Sequence, residues 1–571
     1  MDTKWLELQS EGNGTVLLLF SSLDDEQLEE TVLRSFEHLG IPYKLCNIDQ
    51  GCPPVKELLK HACLILGQDR LGEKLGRTGA TSLRDAVKEG VGLVSFDGNL
   101  GSYSNPFAEI FNAQIGHHPT LCSVIKTVNT EHYITGTRET EDDITLDEPI
   151  AVWPVEVPAG TDLLQTDSGL PVVIPSVCGK GRAVLFTNSV KLWTNDVLGH
   201  ASGMDDVFWK SIVWSARKPF SIYSMPPFAS ALVDDCSGSY NHFRYVDIMN
   251  QYGWIPHLEL YLEDIDRVMH DEDYADSRKI KSLYDAGLAE FGVHGLTYDN
   301  LMWFDHRGRK PLSDELLKEN FKKYDAYMKK WGIKPSRMEN FHFGEVGINA
   351  LPFLKERGIE FASMVLPFDT AWFDVPDKKP PFKTPGPYHY RGYYMAPLPE
   401  DEHFFIVRSF LEPKDFATTN VSVKADFLWD HTIFWDESPR TNIEKAASVA
   451  TLQVRRGIDA RFFGITVTHE QRVAVVRMDE WEEIYAGISA RLKKYDLIYR
   501  PWTYICDYAR SHYNTRIGSV NANRESGIIY CDLQGKAQVS TLLEVYTNEG
   551  DSVKCRTGDV PPFSGIVTVQ I

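Results

Sequence analysis

The chain has 571 residues, 43% of them apolar and 12% aromatic, and a formal charge of -21. That length exceeds one hydrophobic core and implies about three or four domains, while the apolar content excludes a disordered chain. The acidic balance excludes nucleic acid and anionic membrane as general partners, since either would meet a repulsive field, and leaves room for a neutral or sugar-like substrate.

From Thr15 to Phe96, strand patterns TVLLLF, YKLCNI, ACLILG and VGLVSF alternate with helix patterns DDEQLEETVLRSFEHLG, PPVKELLK and TSLRDAVKEG. Alternating units of this kind build a parallel, doubly wound sheet. Asp24 is placed to cap the first helix, and Gly40 and Gly90 to end two others. A more β-rich portion follows, closing with GRAVLFT and DDVFWKSIVWSARKP. Over 1–222 this arrangement resembles the class I glutamine-amidotransferase-like fold, including its ThuA-like relatives. Catalytic members carry a cysteine at a strand-to-helix elbow, where VGLVSF here runs into Asp97 and Gly98. The resemblance therefore implies a non-catalytic domain, in which His117 and His118 have no nucleophile to activate.

Pro219, Pro226 and Pro227 mark a junction, and ASALVDDCSGSY opens a second domain, 223–505. Ala231, Leu232 and Val233 read as a buried strand that delivers Asp234 and Asp235 at its carboxyl end, where sites of α/β proteins collect. Two adjacent acids in different environments can divide the work of cation ligand and base, although such a pair can also simply cap a backbone end. Cys236 reads as a buried, inert thiol. A helix NHFRYVDIMNQYG and a strand WIPHLELYL follow, with His257 and Glu259 on one face. The strand ending Gly292-Val293-His294-Gly295 again presents a polar ligand. A helix from Ser313 to Trp331 carries the stripe Leu317, Phe321, Tyr324 and Met328. Glu339, His342 and Glu345 crowd the next loop, and FFGITVTHEQ ends a strand at His469.

In that order, the motifs from Ser224 to Arg500 resemble those of the polysaccharide deacetylase (NodB-homology) family, metal-dependent carbohydrate esterases with a partly open β/α barrel. The resemblance implies Asp234 as base, Asp235 and His294 as metal ligands, and His469 as the acid. The family's third motif is similar to NFHFG, Asn340 to Gly344, here without its Arg and Pro; a backbone N–H near Phe343 is then expected to face an oxyanion. Tyr298 stands where the second histidine of a HxxxH motif is expected, and tyrosine is a poor ligand compared with imidazole. Either His342, Asp299 or a water completes the shell, or the ion is gone. The expected cofactor is a divalent ion, Zn²⁺ first, and the expected substrate surface comprises Phe343, His342, Tyr298 and Trp429, with Tyr388, Tyr390, Tyr393, Tyr394 and Trp435 available to stack on sugars.

The end of the chain, 506–571, reads as short strands separated by Gly, Asn and Asp, a small antiparallel β domain. The expected fold class is thus α/β: a doubly wound domain, a (β/α) deacetylase-type barrel and a β appendage. The nine cysteines are scattered without a CxxC pair and are expected to be reduced. No apolar run is long enough for a membrane span, and the first residues lack a secretory pattern, so the chain as written is expected in the cytoplasm, or secreted if a signal peptide preceded it. A homo-oligomer is compatible with this reading. The leading function is removal of an acetyl group from an N-acetylated, or less readily O-acetylated, sugar. Two alternatives stand beside it: a glycoside hydrolase pairing Asp234 or Asp235 with Glu345 or Glu470, and a non-catalytic carbohydrate-binding protein.

Overall fold

The computed structural model describes residues 2–22, 25–140, 142–194, 196–238, 242–267, 276–363, 366–374, 395–407, 426–428, 442–550 and 552–571. They form two compact units, one made of Met1–Met225, Asp459–Arg461 and Ser511–Ile571, the other of Pro226–Ile458 and Phe462–Arg510.

The first unit is built on a nine-stranded sheet. Its parallel part runs in the order Tyr43–Asn47, Val16–Phe20, Cys63–Leu66, Gly92–Ser95, Gly181–Phe186, and four antiparallel strands extend one edge. Alternate residues of one strand enter different cores: Val16, Leu18 and Phe20 pack with Phe208 and Ile212, whereas Leu17 and Leu19 pack with Leu71, Leu75 and Leu83. Helices therefore cover both faces, which is why these strands read as continuous apolar runs. Asp24 lies outside the described residues.

Two details differ from the sequence reading. The helix expected at TSLRDAVKEG begins earlier, at Leu71, and runs to Lys88. Within it Gly72 packs where a Cβ would come within 2.3 Å of Ser102 Oγ, and Gly76, at φ 54°, only kinks the helix. The left-handed strand-to-helix turn is at Arg70, with φ 69°, rather than after Phe96. Asp97 instead reaches back to cap this helix, accepting from Arg70 N at 2.9 Å and Leu71 N at 2.8 Å. The residue at the turn still offers neither thiol nor hydroxyl.

The C-terminal strands of this unit form two antiparallel sheets. One joins Phe220–Ile222, Thr541–Glu549 and Ser552–Val560; the other joins Thr515–Asn523, Ile528–Ala537 and Phe563–Gln570. Ile517, Val520, Ile529, Leu533, Leu543 and Val545 fill their shared core.

The second unit holds five strands that matter for chemistry: β1 (Phe228–Cys236), β2 (Pro256–Tyr261), β3 (Glu290–Gly295), β4 (Met338–Asn340) and β5 (Phe463–His469). The order β3-β2-β1-β5 is parallel throughout. β4 continues beside β3, where Ser336 N donates to Phe291 O at 2.7 Å, and leads a parallel run with Phe361–Ser363 and Asp401–Val407. Beyond β5, Asp426 bridges to Val467 in parallel sense. The carboxyl ends of the strands therefore share one end of a β/α barrel arc. The helix Asp314–Trp331 starts where the sequence places it, because Ser313 Oγ accepts from Leu316 N, and all four residues of its apolar stripe are buried.

Candidate metal centre

Adjacent residues of a regular strand point to opposite faces, so Asp234 and Asp235 can serve one site only if the strand is broken between them. The register of β1 against β2 shifts between Val233 and Cys236, and Asp235 has a left-handed φ of 55°. Both carboxylates then face the barrel mouth, Asp234 toward β4 and Asp235 toward β2.

Asp235 Oδ1 lies 3.4 Å from His294 Nε2 and 3.3 Å from His342 Nδ1, and the two ring nitrogens face each other at 2.7 Å. Gln471 Nε2 donates to the other oxygen, Oδ2, at 3.0 Å. His294 Nδ1 is 3.0 Å from the Asn340 carbonyl, which can only accept, so Nδ1 carries the proton and Nε2 presents its lone pair to the cluster. Burial, then the neighbouring His342, lowers His294 to about 3, which keeps its ring neutral. Burial pushes Asp235 up, but the hydrogen bond from His342 and the fields of His469 and His294 outweigh it and hold the carboxyl well below its usual range. One carboxylate and two imidazoles, all buried, with donor atoms within 4.8 Å of one another, suit a divalent ion of borderline softness. Of the three completions left open by Tyr298, His342 supplies the third donor atom. Asp299 is 81% exposed and pairs with Arg307.

Two titratable groups flank the triad. Asp234, 6% exposed, accepts from Asn340 Nδ2 at 2.9 Å and 3.2 Å through its two oxygens. Burial raises it to about 8, only partly countered by His469. His469 sits directly across from it in the register of β1 and β5. Its Nδ1 lies 2.8 Å from Asp426 Oδ2, and Asp426 is itself fixed by Thr468 Oγ1 at 2.9 Å and Leu428 N at 2.8 Å. Burial lowers His469, but the Asp426 pair prevails and brings it to about 9.

Tyr298 is 62% exposed, with its ring centre 5.9 Å from that of His342. Phe343 has φ 54°, lies 4.0 Å from the His342 ring and stacks on His306 at 4.5 Å. Trp429 and the aromatics at 388, 390, 393, 394 and 435 lie outside the described residues. His257 is structural: its Nε2 is 2.7 Å from Glu259 Oε1, which also accepts from Asn340 N at 2.8 Å. Cys236 is buried, and burial then Glu470 raise its thiol well above the usual value, leaving it inert. All nine cysteines are free thiols.

Sequence reading missed four residues here: Tyr261, Asn340 as a side-chain donor, Asp426 and Gln471. Gln471 follows His469 by two positions and was within reach of a motif search. The others act through contacts distant in sequence.

No family model matches the chain, and no curated protein matches it in sequence. Several solved structures do resemble it. A "putative polysaccharide deacetylase" from Mycobacterium smegmatis is 13% identical, covering 52% of this chain and 94% of its own, with a TM-score of 0.30. A cytoplasmic protein from Salmonella typhimurium LT2 is 13% identical over 35% of this chain and 98% of its own, with a TM-score of 0.27. The exo-beta-1,4-mannosidase Op5Man5 from Opitutaceae bacterium strain TAV5 is 13% identical over 36% of each chain, with a TM-score of 0.26. Likeness at this level is too slight to bear on fold or function. Among the described residues, no helix is long and apolar enough to cross a membrane.

Proposed function

We propose that the second unit is a metal-dependent hydrolase that removes an acetyl group from an N-acetylated sugar or glycan. The observation that carries this reading is the buried Asp235, His294 and His342 cluster, flanked by a carboxyl raised to about 8 and an imidazole raised to about 9. Those three residues would hold the cation, Zn²⁺ or another divalent ion, which when bound polarises a carbonyl and makes water nucleophilic at neutral pH.

Asp234 takes a proton from the attacking water; its value near 8 gives it the affinity a base needs, while Asn340 keeps its oxygens oriented. His469 is protonated at neutral pH, and Asp426 holds its ring so that the proton can pass to the leaving nitrogen. The Phe343 N–H, at a left-handed position next to His342, is our candidate donor to the developing oxyanion. Tyr298 and Trp429 are assigned to the substrate surface, with the exposed ring of Tyr298 offering a face to a sugar.

The paired-carboxylate alternative fares worse, because its acids are engaged elsewhere. Glu470 Oε2 accepts from Ser237 N at 2.8 Å and Gly238 N at 2.9 Å, fixing the loop after the Asp pair. Glu345 accepts from Trp372 N at 2.6 Å and lies 2.7 Å from His306 Nδ1. We read 1–222 as a non-catalytic domain and 506–571 as a packing appendage.

The test is metal analysis of the purified protein together with acetate release from N-acetylglucosamine oligomers, before and after chelation. Stoichiometric metal and chelator-sensitive acetate release are expected. A protein that binds no divalent ion, or releases acetate equally well after chelation, overturns the reading.

A further inference from the structure

The donor cluster has a member that is neither histidine nor carboxylate. Tyr261 ends β2, is 1% exposed, and brings its Oη 2.8 Å from Asp235 Oδ1 and 3.0 Å from His342 Nδ1. The other three donor atoms are 2.7, 3.3 and 3.4 Å apart. Around a five-coordinate ion with ligands at about 2.0–2.2 Å, adjacent donors lie roughly 2.8–3.8 Å apart, so these separations suit several protein donors around one ion with a place left for water.

We propose that Tyr261 Oη is a fourth protein donor to the cation, beside Asp235, His294 and His342, with one coordination place left for water. The inference rests on the metal-dependent reading above. Tyr298 itself leaves the cluster open, since its side chain is mostly exposed. Tyr261 could merely orient Asp235, but that task is done at the far oxygen, Oδ2, by Gln471. Tyr261 meets Oδ1, the oxygen that faces both imidazoles, and touches His342 as well. Its hydroxyl therefore contacts two of the three cluster members at the atoms they offer a cation.

The experiment uses the full chain, stripped of metal and reloaded with Zn²⁺ or Co²⁺ alone. Zn²⁺ affinity is measured by competition with a chelator, and the donor set by the visible spectrum of the Co²⁺ protein. Tyr261→Phe is expected to weaken Zn²⁺ binding by about 10- to 100-fold, the loss that even an outer partner causes, and to alter the Co²⁺ spectrum. Gln471→Ala, which removes only an outer partner, is expected to weaken binding without altering that spectrum. A Tyr261→Phe protein with wild-type melting temperature and an unchanged Co²⁺ spectrum overturns the fourth donor while leaving the metal-dependent reading intact. If Tyr261→Phe does not fold, the ultraviolet difference spectrum of the wild-type protein on Zn²⁺ addition decides: a tyrosine perturbation supports the inference, and a flat spectrum overturns it. A wild-type protein that binds neither ion overturns both readings together.

Discussion

Asn340 Nδ2 donates to both oxygens of Asp234, while the backbone carbonyl of the same residue accepts from His294 Nδ1. One residue on β4 thus orients the expected base and the expected ligand. Replacing Asn340 by Leu removes the side-chain hydrogen bonds that favour ionised Asp234, so its pKa rises above about 8. The acid limb of the kcat profile should move to higher pH, and turnover at pH 7 should fall by roughly two- to tenfold. An unmoved limb in the variant would dismiss Asp234 as the base.

Asp426→Asn tests the opposite limb. His469 is raised to about 9 because the Asp426 pair outweighs burial. Without that charge its pKa falls, and the protonated form is lost at lower pH. Activity should then decline on the alkaline side well before it does in the wild-type protein. Rates across pH 6–9 check this; identical alkaline limbs would separate Asp426 from catalysis.

His469→Ala should cost on the order of a hundred- to ten-thousand-fold in turnover, the usual worth of a general acid. Bound metal should stay nearly constant, since Asp235, His294 and His342 offer their donor atoms without it. A variant that loses its metal would make His469 a ligand, and one that retains full turnover would remove it from the site altogether.

Stability of the first unit should depend on Asp97. Burial, then Asp69, raises this carboxyl from 3.8 to about 6 in the folded protein. Because the folded value exceeds the unfolded one, protonation favours folding: the contribution is full below pH ~4 and disappears as pH rises through about 6. Two units correspond to about 3 kcal/mol. Asp97→Asn should flatten the pH dependence of this unit's unfolding between pH 4 and 6, followed by urea titration at several pH values. An unchanged slope would locate the effect elsewhere.

The strand ends were legible in the sequence because buried parallel strands read as apolar runs, and Asp234, His294 and His469 each follow one. Tyr261 was not, since in HLELYL it is indistinguishable from a core aromatic until the neighbouring strands are in place. Asp426 reaches His469 from a stretch whose aromatic density drew attention to sugar stacking instead. The start of the helix at Leu71 was not legible from a stretch holding Gly72 and Gly76, of which Gly72 packs closely against Ser102 and Tyr103.

Asp235 and Phe343 are both non-glycine residues held in left-handed backbone, at φ 55° and 54°. Such positions typically store about 1–2 kcal/mol each, which glycine would release. Glycine at either position relieves the backbone only by giving up contacts, those of Asp235 with Tyr261 and Gln471 and of Phe343 with His306, so selection for heat tolerance alone should leave both strained residues in place.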